Sequence, residues 1–271
     1  MLKIGLRNAA GASLLSIALS MSIATSVQAA GAPKAPTVKV HDGVLRGSKS
    51  DGIVRYLDIP YAVPPVGDLR WKDPIPAKPW TGVRDATKYG PACPQRNMSG
   101  APLEFPTSED CLTLNIWSPT QHKGPLPVMM WIHGGGHMWG SGREPTFDGT
   151  AFAKKGVLLV TINYRLGVLG FMAHPELTAE SPHHSSGNYG ILDQIEALKW
   201  IKQNIAAFGG DPNNVTIFGE SAGSGAVNIL QASPLAKGLF NRTIGESTSQ
   251  MDPDGGMAGR LDLQSAGEHG K

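Results

Sequence analysis

The chain has 271 residues, of which 41% are hydrophobic and 17% are charged, and this balance excludes a disordered chain and a coiled coil. The 24 basic residues outnumber the 22 acidic residues by two, and Lys3 and Arg7 account for that excess. The rest of the chain is neutral and gives no electrostatic reason to expect a nucleic-acid partner. Its 34 glycines and 21 prolines follow no period, which excludes collagen and repeat arrays.

Residues 1–29 have the pattern of a secretory signal peptide. Lys3 and Arg7 precede an apolar run, and residues 27–29 place small side chains where a signal peptidase reads them. A membrane anchor is the alternative, but serine and glycine interrupt the run, and a span needs about 20 apolar residues. We therefore expect residues 30–271 to be the mature chain, which would be secreted or periplasmic and have no transmembrane segment.

The two cysteines of the chain are Cys93 and Cys111. In an oxidising compartment, thiols this close in sequence are expected to form one disulfide, which would stabilise the fold by about 3 kcal/mol. Two buried free thiols are the alternative. No CxxC motif is present, and two cysteines cannot form a closed zinc site alone, so we expect no metal.

The first part of the mature chain predicts antiparallel strands. Its short alternating segments are joined by Asp-Gly pairs, which are typical of tight hairpin turns. The segments are residues 37–40, 44–46 and 53–56. The next stretch, residues 60–110, is rich in proline and glycine, and we predict that it is irregular.

Later residues have the pattern of an α/β domain. Continuous apolar runs at 128–132, 157–162 and 215–218 predict strands that are buried on both faces. Between the last two runs, apolar residues recur every three or four positions over 191–205, which predicts a helix with one buried face. Strands that alternate with helices indicate a parallel sheet with helices packed against it.

A GxSxG motif at residues 219–223 is centred on Ser221. In this motif, the serine sits on a strained turn between a strand and a helix, and the glycines let neighbouring chain pass close to it. A predicted strand precedes the motif, and a run of small residues from Ser224 predicts a helix after it. An ordinary serine in a glycine-rich turn is the alternative, but this context favours Ser221 as a nucleophile.

A second motif, His-Gly-Gly-Gly at residues 133–136, follows the predicted strand 128–132. Glycines let backbone N–H groups point into a cleft, which is how an oxyanion hole is built. The N–H of Ala222 is the expected third donor, because the first N–H groups of a helix have no partner within it. A glycine-rich turn without this role is the alternative.

A serine nucleophile needs a base, usually a histidine that a carboxylate orients. In α/β hydrolases the acid and then the histidine follow the serine. Here one histidine, His269, follows Ser221, and it lacks a strand–loop context. The sequence predicts structural or solvent-exposed positions for His133, His137, His174, His183 and His184, whereas His41 and His122 lie in predicted turns and indicate nothing about the base.

The chain resembles the type-B carboxylesterases, the carboxylesterase/cholinesterase family of α/β hydrolases, from about residue 37 to residue 247. The matching stretches are residues 59–65, 109–116, 131–136, 163–171, 187–194 and 208–223. The resemblance implies an α/β-hydrolase fold, with a mostly parallel sheet, helices on both faces and an N-terminal antiparallel hairpin region. Family members are much longer, so the C-terminal part of the fold, with the triad acid and histidine, is expected to be missing from residues 30–271.

The resemblance also implies roles for individual residues. It implies that Ser221 is the acylated nucleophile and that Cys93 and Cys111 form a disulfide. It implies three oxyanion donors, which are Gly135, Gly136 and Ala222. Glu220 matches a family carboxylate beside the serine, where its charge would stabilise an imidazolium but oppose the oxyanion; a buried carboxyl without a catalytic role is the alternative.

The sequence therefore predicts a carboxylic ester hydrolase that forms an acyl-enzyme on its serine, acts on a small-molecule ester and needs no cofactor. Phe105 is the one large aromatic residue between the cysteines, which argues against choline esters. Two alternatives are a truncated, inactive fragment of such an enzyme and a non-catalytic binding or adhesion protein on the same fold.

Overall fold

The computed structural model describes residues 35–96 and 103–247. The predicted signal peptide, residues 1–29, lies outside the described residues and stays a prediction. His269 lies outside them as well. Among the described residues, no helix is long and apolar enough to cross a membrane.

The described residues form ten strands, which build one large sheet and one small sheet. The strands are β1 (Thr37–Val40), β2 (Gly43–Arg46), β3 (Ser48–Ser50), β4 (Ile53–Pro60), β5 (Val83–Asp85), β6 (Thr113–Pro119), β7 (Leu126–Ile132), β8 (Leu158–Ile162), β9 (Gly210–Glu220) and β10 (Arg242–Glu246).

The large sheet has the strand order β10-β9-β7-β8-β6-β4-β3, and the small sheet has the order β1-β2-β5. In the large sheet β10, β9, β7 and β8 are parallel, whereas the strands from the N-terminal part of the chain add an antiparallel half. Met130 of β7 pairs with Val160 of β8 and Ile217 of β9, so the strand before the His-Gly-Gly-Gly motif lies inside the sheet. The predicted α/β-hydrolase architecture is confirmed.

Helices pack against both faces of this sheet, although one face of β7 and β9 is only half-buried, whereas the sequence predicted burial on both faces. The helices are α1 (Thr150–Lys154), α2 (Gly167–Phe171), α3 (Pro175–Glu180), α4 (Tyr189–Asn204) and α5 (Ala222–Ala232). Buried residues of α4 and α5 belong to the main core, whereas Ala153 of α1 packs in a second core with Trp117 and Leu159 on the other face. Parallel strands pack in this way, since both of their faces are apolar.

Helix α4 matches the helix predicted at residues 191–205 to within two residues. A short 3₁₀ turn at Ile205–Phe208 extends it, and the chain then reverses at Gly209, whose φ is 89°. Glycine suits this position because a left-handed backbone strains any residue with a Cβ atom.

Strand β6 was not predicted from the sequence, although it lies between β4 and β8. Both of its faces are buried, so it does not show an alternation of apolar and exposed polar residues. Asn115 is accommodated because its side chain donates to Gly142 O (3.2 Å) and Thr161 Oγ1 (3.0 Å) and accepts from the N–H of Asp58 (3.1 Å). A buried polar group is tolerated when its hydrogen bonds are made in this way.

The disulfide expected from the sequence is present in the structure. The sulfur atoms of Cys93 and Cys111 are bonded, and both residues are buried in the main core. The bond closes a loop with a sequence separation of 18. In the chain-entropy account, a loop of about this length stabilises the fold by about 3 kcal/mol.

Candidate active site

Ser221 occupies the sharp turn between β9 and α5. Its backbone has φ 55° and ψ −124°, a combination that residues other than glycine rarely adopt and that costs about 1–3 kcal/mol. Its N–H donates to the carbonyl oxygen of Glu246 in β10 (2.9 Å), and its own carbonyl oxygen accepts from Gly225 N (3.0 Å). The neighbouring strand and the first turn of α5 therefore hold the strained residue in place.

Two glycines allow this turn to pack against the end of β7. A Cβ atom on Gly219 would lie 2.5 Å from the carbonyl carbon of Gly223. A Cβ atom on Gly223 would collide with the carbonyl oxygen of Ile132, the last residue of β7. The GxSxG spacing is therefore required by close contact between three segments of backbone.

The residues that follow β7, Gly134 to Gly140, form a segment that we call the glycine loop, and this loop lies directly against the turn. A Cβ atom on Gly134 would lie 2.7 Å from Glu220 O and 3.2 Å from the Cβ of Ser221. Two motifs far apart in sequence are thus adjacent in space. Parallel neighbours explain this, since β7 and β9 end at the same edge of the sheet.

The glycine loop has a left-handed backbone, with φ values of 98° at Gly135 and 60° at Gly136. The carbonyl oxygen of Gly135 accepts hydrogen bonds from Met138 N (2.9 Å) and Trp139 N (3.2 Å), which turns the loop back on itself. Among the residues that the structure describes, none accepts a hydrogen bond from the N–H of Gly135, Gly136 or Ala222.

Glu220 is exposed, not buried as the alternative interpretation of the sequence required. One of its carboxylate oxygens lies 3.1 Å from the position that a Cβ on Gly134 would take, so the charge sits beside the glycine loop. The electrostatic role inferred from the resemblance stays a prediction.

His133, the first residue of the His-Gly-Gly-Gly motif, has a structural environment. Its ring stacks on Tyr164 with 4.4 Å between ring centroids, and the Tyr164 hydroxyl donates to the His133 carbonyl oxygen (2.7 Å). Complete burial lowers the pKa of His133 to about 4, so the ring is neutral near neutral pH. A fully enclosed ring cannot exchange protons with a substrate.

Other described histidines have partners away from Ser221. His174 Nδ1 accepts from the N–H of Glu176 at the start of α3, and His183 Nε2 lies 3.3 Å from Asp73. His41 and His122 have ring nitrogens next to Asp42 Oδ1 and Gly124 O. Within the described ranges, no histidine forms a hydrogen bond with the hydroxyl of Ser221. The same ranges contain no cluster of three or more His, Cys, Asp or Glu side chains suited to a metal.

Residue-by-residue reasoning from the sequence missed a link between the disulfide loop and the glycine loop. The side chain of Gln95 accepts from Gly140 N (2.7 Å) and donates to Gly140 O (2.8 Å). Gln95 is only two residues from Cys93, so the disulfide fixes the residue that holds the far end of the glycine loop. No local sequence pattern signals a side chain that bonds a backbone 45 residues away.

A buried ion pair between Arg165 and Asp193 was also missed. The guanidinium binds both carboxylate oxygens, at 2.8 and 2.6 Å, and the backbone N–H of Arg165 donates to the same group (3.0 Å). The side chains are 3% and 0% exposed. This pair fixes the segment after β8 to the first turns of α4, which places α2 beside the glycine loop.

A profile of the carboxylesterase family matches residues 34–259. Two bacterial relatives are the fumonisin B1 esterase of Sphingopyxis macrogoltabida, 49% identical over 235 residues, and the para-nitrobenzyl esterase of Bacillus subtilis, 48% identical over 209 residues. These matches cover 85% and 76% of this chain but only 43% and 42% of the relatives. The chain thus spans less than half the length of the curated relatives it matches.

The solved structures that resemble this chain are also esterases, and the chain again covers less than half of each. A carboxylesterase of Geobacillus stearothermophilus is 49% identical, with a TM-score of 0.72 over 79% of this chain and 44% of its own. A para-nitrobenzyl (PNB) esterase structure is 43% identical, with a TM-score of 0.76 over 88% of this chain and 47% of its own. Sequence and structure therefore show that this chain belongs to the carboxylesterase family.

Proposed function

We propose that the chain supplies the nucleophile and the oxyanion hole of a serine carboxylic-ester hydrolase. The observation that carries the proposal is the contact between the strained turn at Ser221 and the glycine loop, where three N–H donors have no acceptor among the described residues. Ser221 attacks the ester carbonyl, the alcohol departs and an acyl-enzyme forms. Water then attacks the acyl-enzyme and releases the acid. Because the serine side chain and water carry out both steps, the reaction needs no cofactor.

The N–H groups of Gly135, Gly136 and Ala222 hold the negative oxygen of the tetrahedral intermediate. Ala222 is the first residue of α5, so its N–H also lies in the positive field of the helix N-terminus. Fixed backbone donors are effective because they need no reorganisation when the charge develops, and losing one costs about 100- to 1,000-fold in rate.

The proton acceptor for Ser221 lies outside the described residues in this proposal. His133 is buried, and the rings of His174 and His183 have partners away from Ser221. Glu220 would stabilise the imidazolium that forms when the base takes the proton. The 271-residue chain alone is then expected to turn over esters slowly, because an oxyanion hole without its base retains only about 1,000- to 10,000-fold of the rate enhancement.

The substrate is expected to be a small carboxylic ester, since the relatives are esterases of such molecules by name. Export of the mature chain, residues 30–271, is part of the same proposal. The disulfide supports it, because disulfides persist in oxidising compartments.

Covalent labelling tests the proposed nucleophile. The 271-residue chain is treated with a fluorophosphonate, with and without added imidazole as a substitute base, and the adduct is located by mass spectrometry. We expect labelling at Ser221, faster with imidazole and lost in Ser221→Ala and in urea. Labelling that is spread over exposed serines and unaffected by imidazole would contradict the proposal and favour a non-catalytic binding protein.

A further inference from the structure

His137 has a backbone conformation that residues with a Cβ atom do not favour. It follows Gly135 and Gly136 in the left-handed region, with a φ of 60°. For a residue with a Cβ atom, this backbone costs about 1–2 kcal/mol, which glycine would avoid. Such strain persists where surrounding contacts fix the residue. Three contacts do so here, and they reach two different helices.

The ring of His137 joins the glycine loop to α5. Its Nε2 lies 3.1 Å from the carbonyl oxygen of Ala222, and that oxygen can only accept, so Nε2 carries the proton and donates. Burial lowers the pKa of His137, which favours the neutral ring. The contact links His137 to Ala222. Ala222 and Gly136, the residue before His137, each carry an N–H group of the proposed oxyanion hole.

Two further contacts hold His137 to α2. The ring stacks on Phe171 with 4.5 Å between centroids and 8° between planes, and the His137 carbonyl oxygen accepts from Gly167 N (2.7 Å). Stacking fixes the plane of the ring, and the hydrogen bond from Gly167 fixes the backbone of His137. Because α2 holds both the ring and the backbone of His137, the Nε2–H is directed at the carbonyl oxygen of Ala222.

The rest of the glycine loop has no equivalent link to α5. Gly134 touches the turn through backbone alone, and Gln95 holds Gly140 to the disulfide loop. Catalysis by an oxyanion hole depends on donor spacing, and a misplacement of about 1 Å can cost about 100-fold in rate.

We propose that His137 is a positioning residue that sets the spacing between the loop donors, Gly135 and Gly136, and the helix donor, Ala222. It acts through these backbone groups and does not touch the ester. The inference rests on the proposed function, because the spacing matters only if an oxyanion binds there.

Three variants of the 271-residue chain test this role. His137→Phe keeps an aromatic ring for Phe171 but removes the donor, His137→Gln provides an amide N–H near the position of Nε2, and His183→Phe makes the same change at an exposed histidine. Circular dichroism checks that each variant folds. Two quantities are then measured: the amide resonances of Gly135, Gly136 and Ala222, and the imidazole-assisted labelling of Ser221 by the fluorophosphonate.

In His137→Phe we expect all three resonances to move and the maximal labelling rate to fall at least about tenfold, with the half-saturating probe concentration unchanged. His137→Gln should restore most of the resonance positions and most of the labelling rate. His183→Phe should change neither the resonances nor the labelling rate. Unmoved resonances, or moved resonances with unchanged labelling, would overturn the inference. If the parent chain is not labelled, the proposed function fails, and the resonances alone decide whether His137 holds the glycine loop to α5.

Discussion

The serine turn shows how single residues determine the site. Ser221 is strained, and the strain is tolerated because Gly219 and Gly223 let three backbone segments meet without side chains between them. The sequence alone predicted the place of Ser221 between a strand and a helix, since the GxSxG motif needs a sharp turn there. The contacts of His137 could not be predicted, because they depend on where α2 lies in space.

Replacing Gly223 by alanine tests the close packing at the turn. The new Cβ would collide with the carbonyl oxygen of Ile132, so the turn or the end of β7 must move. We expect Gly223→Ala to lower the free energy of unfolding by about 1–3 kcal/mol in a urea titration and to abolish labelling of Ser221.

Gly156→Ala is the control for this prediction. Gly156 has a positive φ, 77°, which Gly223 does not have, and open space where the Cβ would go. In this control the free energy of unfolding should fall by about 1–2 kcal/mol from backbone strain alone, and Ser221 should still be labelled. Equal labelling in Gly156→Ala and Gly223→Ala would show that the packing at the turn is not required.

At the scale of elements, the sequence predicted the strands and helices whose periodicity is visible. Helix α4 was found because its apolar residues recur every three or four positions, and strands β7, β8 and β9 were found because each contains a continuous apolar run. Strand β6 was missed because Asn115 and its neighbours are buried on both faces, and its polar groups are satisfied only by distant partners. Strand β10 was missed because most of its residues are exposed and it has no apolar run.

The Arg165–Asp193 pair gives a prediction about how elements are joined. Asp193→Ala would leave a buried guanidinium without its carboxylate, and we expect the free energy of unfolding to fall by about 3–5 kcal/mol. Urea denaturation followed by circular dichroism measures this loss.

The comparison for that prediction is Glu180→Ala, which breaks the exposed Lys72–Glu180 pair. Solvent screens this pair, so its loss should cost no more than about 1 kcal/mol. Similar losses in the two variants would mean that Asp193 does not hold α4 to the segment after β8.

At the scale of the whole molecule, burial of His133 links stability to pH. Its pKa is about 4 in the folded chain and 6.5 in the unfolded chain, so between these values the unfolded state binds more protons. The contribution of the neutral ring to stability is complete above pH of about 6.5 and is lost as the pH falls towards about 4. Between about pH 6 and pH 5, stability should fall by about 1 kcal/mol from this group.

His133→Phe tests this assignment because it keeps a ring against Tyr164 and removes the titrating group. We expect the free energy of unfolding to fall less steeply with decreasing pH in this variant than in the parent chain. His184→Phe, at an exposed histidine, should keep the full slope. If His133→Phe has the slope of the parent chain, the acid sensitivity does not come from His133.

The fold class and the family were predictable for the whole molecule because several motifs agree with one another. The contact between the glycine loop and the disulfide loop was not predictable, since Gln95 and Gly140 are 45 residues apart in sequence.

A crystal structure of the phosphonylated chain tests the central claim most directly, because the phosphoryl oxygen occupies the place of the oxyanion. The account predicts an adduct on Ser221 with this oxygen about 2.7–3.1 Å from the nitrogens of Gly135, Gly136 and Ala222. An adduct whose phosphoryl oxygen points away from all three nitrogens, or an adduct on another residue, would contradict it.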